Sequence, residues 1–204
     1  MPYIMKMYVD SGCRRDDDSE AIGAAACVIH MKAGRKKTRT RAIDPDEYPT
    51  NKRAEITAII LALQQALARY DKLHSAPYLQ VTIYTSSKYA QGCMSTWKHH
   101  TWKYPWVKYG WLKSRGNAVA NMDLIQEASK LDEAVRELGD VEYVWISRSQ
   151  NSEADEAVNS VMDLMEEISQ YSPGWFYKVC FGCRFDSAWG LLTAWRDVVV
   201  RVGK

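Results

Sequence analysis

Nowhere does this sequence hold the roughly 20 consecutive apolar residues that a membrane-spanning helix requires, so no membrane partner is expected. The opening stretch MPYIMKMYVD has no basic segment followed by a long apolar one. A secretory leader is therefore not expected, and the stretch reads as a strand. Cysteines number only five, an odd count at irregular spacing. That argues against a disulfide framework and for reduced thiols in an intracellular setting, nuclear or cytoplasmic. No internal repeat and no low-complexity tract interrupts the chain. Acidic side chains are missing altogether from Lys72 to Met122, where seven Lys and Arg occur.

What is present is the material of a folded domain. At 204 residues, 47% hydrophobic and 25% charged, the chain is long enough to bury a sizeable core. Net charge is +2, but it is unevenly spread. KAGRKKTRTR (32–41) carries six basic side chains and no acid, whereas 123–167 carries thirteen acids against three bases. A basic first part points to a polyanion partner, with an uneven solvated surface as the alternative.

Periodicity predicts the order β-β-β-α-β-α-(basic segment)-α-β-α. Residues 3–10 alternate, with Ile4, Lys6, Tyr8 and Asp10 on one face and Met5, Met7 and Val9 on the other, and read as a strand ending at Asp10. AIGAAACVIH (21–30) and 35–42 are the second and third strands. Residues 51–70 are helical, with Ile56, Ile59, Ile60, Leu63, Leu67 and Tyr70 at three- and four-residue steps. Strands follow at 79–85 and 141–147, and helices at 87–98, 120–138 and 152–169. The expected fold class is α/β, a mixed five-stranded sheet flanked by helices. The domain is placed at 1–169, with an aromatic-rich C-terminal appendage at 170–204.

Three acids fall where acids are costly. Asp10 closes a strand, and Glu55 shares a stripe with Ile59, Ala62 and Leu63. Asp155 lies above Val158, Met162 and Met165. A carboxylate facing a core needs a partner, a hydrogen bond or a cation. If the three element ends converge, their oxygens suit Mg²⁺ or Mn²⁺. Taken singly, each is also readable as a solvated acid favoured by a helix N-terminus.

The blocks YVDSGC, AIGAAACV, TNKRAEITAIILAL, YTSSKYAQGCMSTW, GWLKSRGNAVANMDLI and VWISRSQNSEADEAVNS, in that order, resemble type 1 ribonuclease H over residues 3 to about 168, closest in wording to the fungal branch. The resemblance implies a ribonuclease H-like fold and cleavage of the RNA strand of an RNA–DNA hybrid by two divalent metals on four carboxylates. It assigns Asp10, Glu55 and Asp155 as three of those carboxylates and metal ligands. The fourth falls in a Thr-Asp-Ser-Lys-Tyr block that here reads Thr85, Ser86, Ser87, Lys88, Tyr89, so Ser86 stands in an aspartate's place. Two-metal hydrolysis needs both ions held. A neutral hydroxyl is a weak ligand, so metal binding is expected to be weakened and cleavage impaired or lost. Ser11 replaces a usual glycine, and the loop SRSQNSEAD has Arg148 and no histidine.

Between 95 and 117, Trp97, Trp102, Trp106 and Trp111 interleave with Lys98, Lys103, Lys108, Lys113 and Arg115. Lysines neutralise phosphates and aromatics pack on sugars or bases, although the tryptophans are also readable as local packing. The segment resembles the family's basic protrusion that grips the DNA strand. Asn51 resembles the asparagine that contacts the hybrid near a 2′-hydroxyl, with helix capping as its competing role. Cys180 and Cys183 form a lone C-x-x-C, half a zinc site at most. Cys13 receives no catalytic role. The expected partner is RNA–DNA hybrid or double-stranded RNA. An active hybrid nuclease and a protein-interaction module using 170–204 are the other readings.

Overall fold

Met5, Met7 and Val9 are buried and alternate with more exposed neighbours, so one face of the first strand is committed to a core. The structure, a computed structural model, describes residues 1–15, 21–31, 34–95, 106, 108, 110–112 and 116–171. Its strands are β1 (Tyr3–Arg14), β2 (Ile22–His30), β3 (Lys36–Ile43), β4 (Leu79–Thr85) and β5 (Gly139–Trp145). Its helices are α1 (Asn51–Tyr70), α2 (Lys88–Met94), α3 (Met122–Arg136) and α4 (Ser152–Tyr171). The sheet order is β3-β2-β1-β4-β5. β3, β2 and β1 are antiparallel neighbours, while β4 and β5 run parallel to β1. This is the expected α/β fold with a mixed five-stranded sheet.

One boundary needs correcting. The first strand does not end at Asp10. Ser11 to Arg14 continue to pair with β2 as far as Arg14 opposite Ile22. What ends there is the other ladder, because β4 accompanies β1 only as far as Val9 opposite Thr85. Asp10 therefore has a strand on one side and an opening on the other.

Strand β2 explains how helices cover both faces. Ala25 and Cys27 belong to the main core beneath α1, and Ala24 and Ala26 pack with Val158, Val161 and Met162 of α4. Small side chains on both faces let each helix approach closely. Gly12 serves the same end, since a Cβ there would lie 2.7 Å from the Met162 methyl. On the main-core side, Ile56, Ile59, Ile60 and Leu63 of α1 are fully buried. Thr50 caps this helix, accepting from the Arg53 N–H at 3.2 Å.

Two polar ties fix α3. Arg53 reaches Asp123 through two hydrogen bonds, at 3.2 and 2.8 Å. Asp132, 2% exposed, accepts from the Tyr143 hydroxyl and from Arg136 Nε, each at 2.8 Å. Burial, then the charge of Asp132, holds the Tyr143 phenol well above its ordinary range. Burial also pushes the thiols of Cys27 and Cys93 up to about 12, so both are inert at neutral pH.

Asp132→Ala should cost about 3 kcal/mol in urea unfolding, because it strands a buried hydroxyl and a guanidinium. A loss under about 1 kcal/mol would contradict this reading of the network. The Arg53 hydrogen bond holds the Asp123 carboxyl below its ordinary range. A depressed carboxylate contributes stability above its unfolded pKa, about 3.9, and loses it as pH falls through the folded value. Asp123→Asn should therefore cost about 0.5 kcal/mol at pH 7, the carboxylate being exposed, and less at pH 2. Equal costs at both pH values would refute the linkage.

Candidate active site

The strand geometry sends Asp10 to the sheet face that α4 partly covers, at the point where β4 has ended. Ser86 is the first of the two residues between β4 and α2. Its Oγ donates to Asp10 Oδ1 at 3.2 Å, and the Ser11 N–H donates to the same oxygen at 3.0 Å. Ser87 caps α2, accepting from the Ala90 N–H at 3.0 Å, and its hydroxyl lies near enough to the Glu55 carboxylate to favour the charged form. The adjacent serines thus act on two different acids.

Burial pushes the Asp10 carboxyl above its ordinary value, and the charge of Asp155 adds to the effect. Burial likewise raises Glu55, with the charge of Asp10 adding. The hydroxyls of Ser86 and Ser87 and the positive charge of Arg148 oppose these shifts. The three acids therefore lie within electrostatic range, with Asp10 sensing Asp155 and Glu55 sensing Asp10. Among the described residues, however, no three His, Cys, Asp or Glu side chains are gathered tightly enough to hold a metal.

Asp155 requires a second correction. It is exposed, and does not share the stripe of Val158, Met162 and Met165. The buried residue of that turn is Ala154, one position earlier, so Asp155 is rotated away from the core. Its Oδ2 accepts from Asn159 Nδ2 at 3.2 Å.

The residue that sequence reasoning missed is Asn151. It is 1% exposed, and its Nδ2 donates to the Val9 carbonyl at 2.9 Å. Its own carbonyl receives the N–H groups of Ala154 and Asp155, each at 3.1 Å. Asn151 thereby fastens the start of α4 beside Asp10 and places Asp155 near it. An asparagine ahead of a helix reads as a cap. Nothing local reveals a bond to a strand 142 residues away.

Of the expected nucleic-acid contacts, Asn51 is exposed on the first turn of α1, and Thr50 rather than Asn51 is the cap. Lys108 is exposed. Trp106 and Trp111 pack partly buried against the core. Trp97, Lys98, Trp102, Lys103, Lys113 and Arg115 lie outside the described residues, as do 172–204 with Cys180 and Cys183. Beside the acids, Trp145 is 43% exposed, donates from Nε1 to the Ser86 carbonyl at 3.0 Å, and carries Lys88 over its ring.

The family model described as RNase H matches residues 2–163. No curated protein matches the chain. Among solved structures, the chain is similar to LC9-RNase H1, a type 1 RNase H with the type 2 active-site motif, at 23% identity and a TM-score of 0.56, covering 77% of this chain and 71% of that one. The N-terminal RNase H domain of rv2228c from Mycobacterium tuberculosis aligns at 19% identity and a TM-score of 0.55, over 81% and 98% of the two chains. LC11-RNase H1 in complex with RNA/DNA hybrid aligns at 22% identity and a TM-score of 0.50, over 76% and 94%. At these identities the structural likeness speaks to fold.

Asn151→Ala should cost about 1–3 kcal/mol in chemical denaturation, because it leaves the Val9 carbonyl without that donor. Asn151→Asp should cost at least as much, since a carboxylate offers the carbonyl no proton. A neutral Asn151→Asp would show that the bond to Val9 is not what holds the helix start.

Proposed function

The chain belongs to the ribonuclease H family, and from that premise we propose that it binds RNA–DNA hybrid while two-metal cleavage of the RNA strand is lost or strongly impaired. The observation that carries this reading is the contact between the Ser86 hydroxyl and Asp10 at 3.2 Å. Ser86 sits inside the acidic group, at the position where the family pattern has an aspartate. It brings no charge there and adds a second donor to the Asp10 oxygen that already accepts from the Ser11 N–H, leaving that oxygen less free for a cation.

Asp10, Glu55 and Asp155 are the residues that would hold Mg²⁺ or Mn²⁺, and their hard oxygens fit such ions in kind. Bound ions would supply activation of water and stabilisation of the leaving oxygen. The three carboxylates offer at most −3, one charge fewer than a full set of four. Arg148, whose positive charge reaches both Asp10 and Glu55, offsets part of that field. Weak retention of a second ion follows.

Hybrid binding draws support from a different part of the molecule. Asn51 is exposed at the start of α1, four positions before Glu55, and Trp145 with Lys88 offers an aromatic face and a cation beside Ser86. Lys108 adds an exposed cation in the segment after α2. The neighbour solved with RNA/DNA hybrid gives the fold a precedent for this ligand.

A labelled hybrid incubated with Mg²⁺ or Mn²⁺ separates the alternatives. Ser86→Asp should cleave the RNA strand at least about 100-fold faster than the natural chain, the scale of one lost electrostatic contact in a transition state. Equal turnover by the two proteins would reject impairment. Hybrid affinity that does not weaken between 50 and 200 mM salt would reject binding through the phosphates.

A further inference from the structure

Much of the charge imbalance along the chain is neutralised inside the fold. Lys36 pairs with Glu153, Arg53 with Asp123, and Arg14 with both Asp163 and Glu166. On the edge strand β3, Arg41 lies 4.0 Å from Glu47. Arg39, on the same strand, has no ion pair among the described residues, and neither has Lys72 just past α1.

Arg39 and Lys72 meet at a cavity of about 200 Å³, formed by the start of β1, the end of β2, the first half of β3 and the last turn of α1. Lys37 and Arg69 line it as well, and among the described residues no Asp or Glu does. Arg69 is held in place, since its Nε donates to the Tyr3 hydroxyl at 2.7 Å and its guanidinium lies over the Tyr3 ring. Arg39, Arg69 and Lys72 around one concavity repel one another, and the concave wall focuses their field. An anion in the cavity relieves that repulsion.

The cations also continue beyond the cavity. Lys37, Arg39 and Arg41 stand on one face of β3, opposite Ile29, Cys27 and Ala25 in register. Alternate residues on an antiparallel strand are about 6.8 Å apart, so the row extends roughly 14 Å. It leads from the cavity towards the turn Pro45–Glu47 and so towards the start of α1, where Glu55 is the fifth residue. A row suits a chain of phosphates better than a single small anion.

We propose that this cleft and row hold the sugar–phosphate backbone of a nucleic-acid strand extending away from the acidic site. The inference rests on the nucleic-acid reading above and adds a second contact region to it. Glu55 and Arg69 are separated along α1 by roughly 21 Å at 1.5 Å per residue. A strand advancing about 3.4 Å per nucleotide covers that distance in about six nucleotides. Extensions of six or more nucleotides should therefore add affinity, and shorter ones should not.

The test compares a 12-base-pair hybrid with the same hybrid carrying a 12-nucleotide single-stranded extension, using the full chain and the triple variant Lys37→Gln, Arg39→Gln, Lys72→Gln. In the natural chain the extension should raise affinity about tenfold at low salt and steepen the log–log salt dependence by roughly 2, as three contacted phosphates would. The triple variant should lose that gain, bind the short hybrid as before, and keep the natural melting temperature. No gain from the extension, or a gain that survives the triple substitution, overturns the proposal. If the short hybrid fails to bind the natural chain, the function proposed above fails, and the isolated 12-nucleotide strand then decides this inference. Strand binding that the triple variant abolishes sustains it, and unaffected binding overturns it. Tripolyphosphate is the control for a small-molecule source, and saturation by it with no binding of the strand also overturns the proposal.

Discussion

The cost of holding carboxylates partly out of water, with other carboxylates nearby, is the constraint around which the acidic site is arranged. Asp10, Glu55 and Asp155 come from a strand and two helices, yet each lies within reach of another's field. Carboxylates removed from water beside one another work against folding unless something holds them. Here the holding is done by neutral and positive groups. Ser86 donates to Asp10, the Ser87 hydroxyl and the positive charge of Arg148 favour the charged form of Glu55, and Asn151 ties α4 to the backbone of β1 one residue from Asp10. The remainder of the fold gives these ties a rigid base. β2 is small on both faces, and Gly12 leaves room for Met162, so α1 and α4 grip the sheet from opposite sides.

That arrangement gives Ser86 a dual character. As a structural group it is well placed, because a hydroxyl donor quiets a half-buried carboxylate that a fourth negative charge would disturb further. As a ligand it is poor, because it carries no charge and its proton points at Asp10. On the function proposed above, an acidic group that is easier to fold is also harder to load with cations, a trade of activity for stability.

The charge distribution reads differently once folded. The sequence separates basic and acidic stretches, and a natural first reading assigns the basic ones to an outside polyanion. The structure spends several of them on its own acids: Lys36 on Glu153, Arg53 on Asp123, Arg14 on Asp163 and Glu166. Among the described residues, cations without an ion pair include Arg39 and Lys72 at their cleft and Lys88 over the Trp145 ring.

The elements themselves were legible because their signals are local. Helix α1 spans Asn51–Tyr70 and strand β4 spans Leu79–Thr85, where apolar spacing alone puts them, since period and side-chain type are properties of short windows. The resemblance of ordered blocks reached Asp10, Glu55, Ser86 and Asp155 as a set. Tertiary structure decided the rest. It carried β1 on to Arg14, because its pairing with β2 outlasts its pairing with β4. It turned Asp155 outward and buried Ala154, because the helix rotation is set by what α4 packs against. It made Asn151 a tie to Val9 and gathered Arg39 with Lys72 at one cavity. Those are contacts between residues far apart in the chain, and their energies depend on distances and burial that no short window of sequence contains.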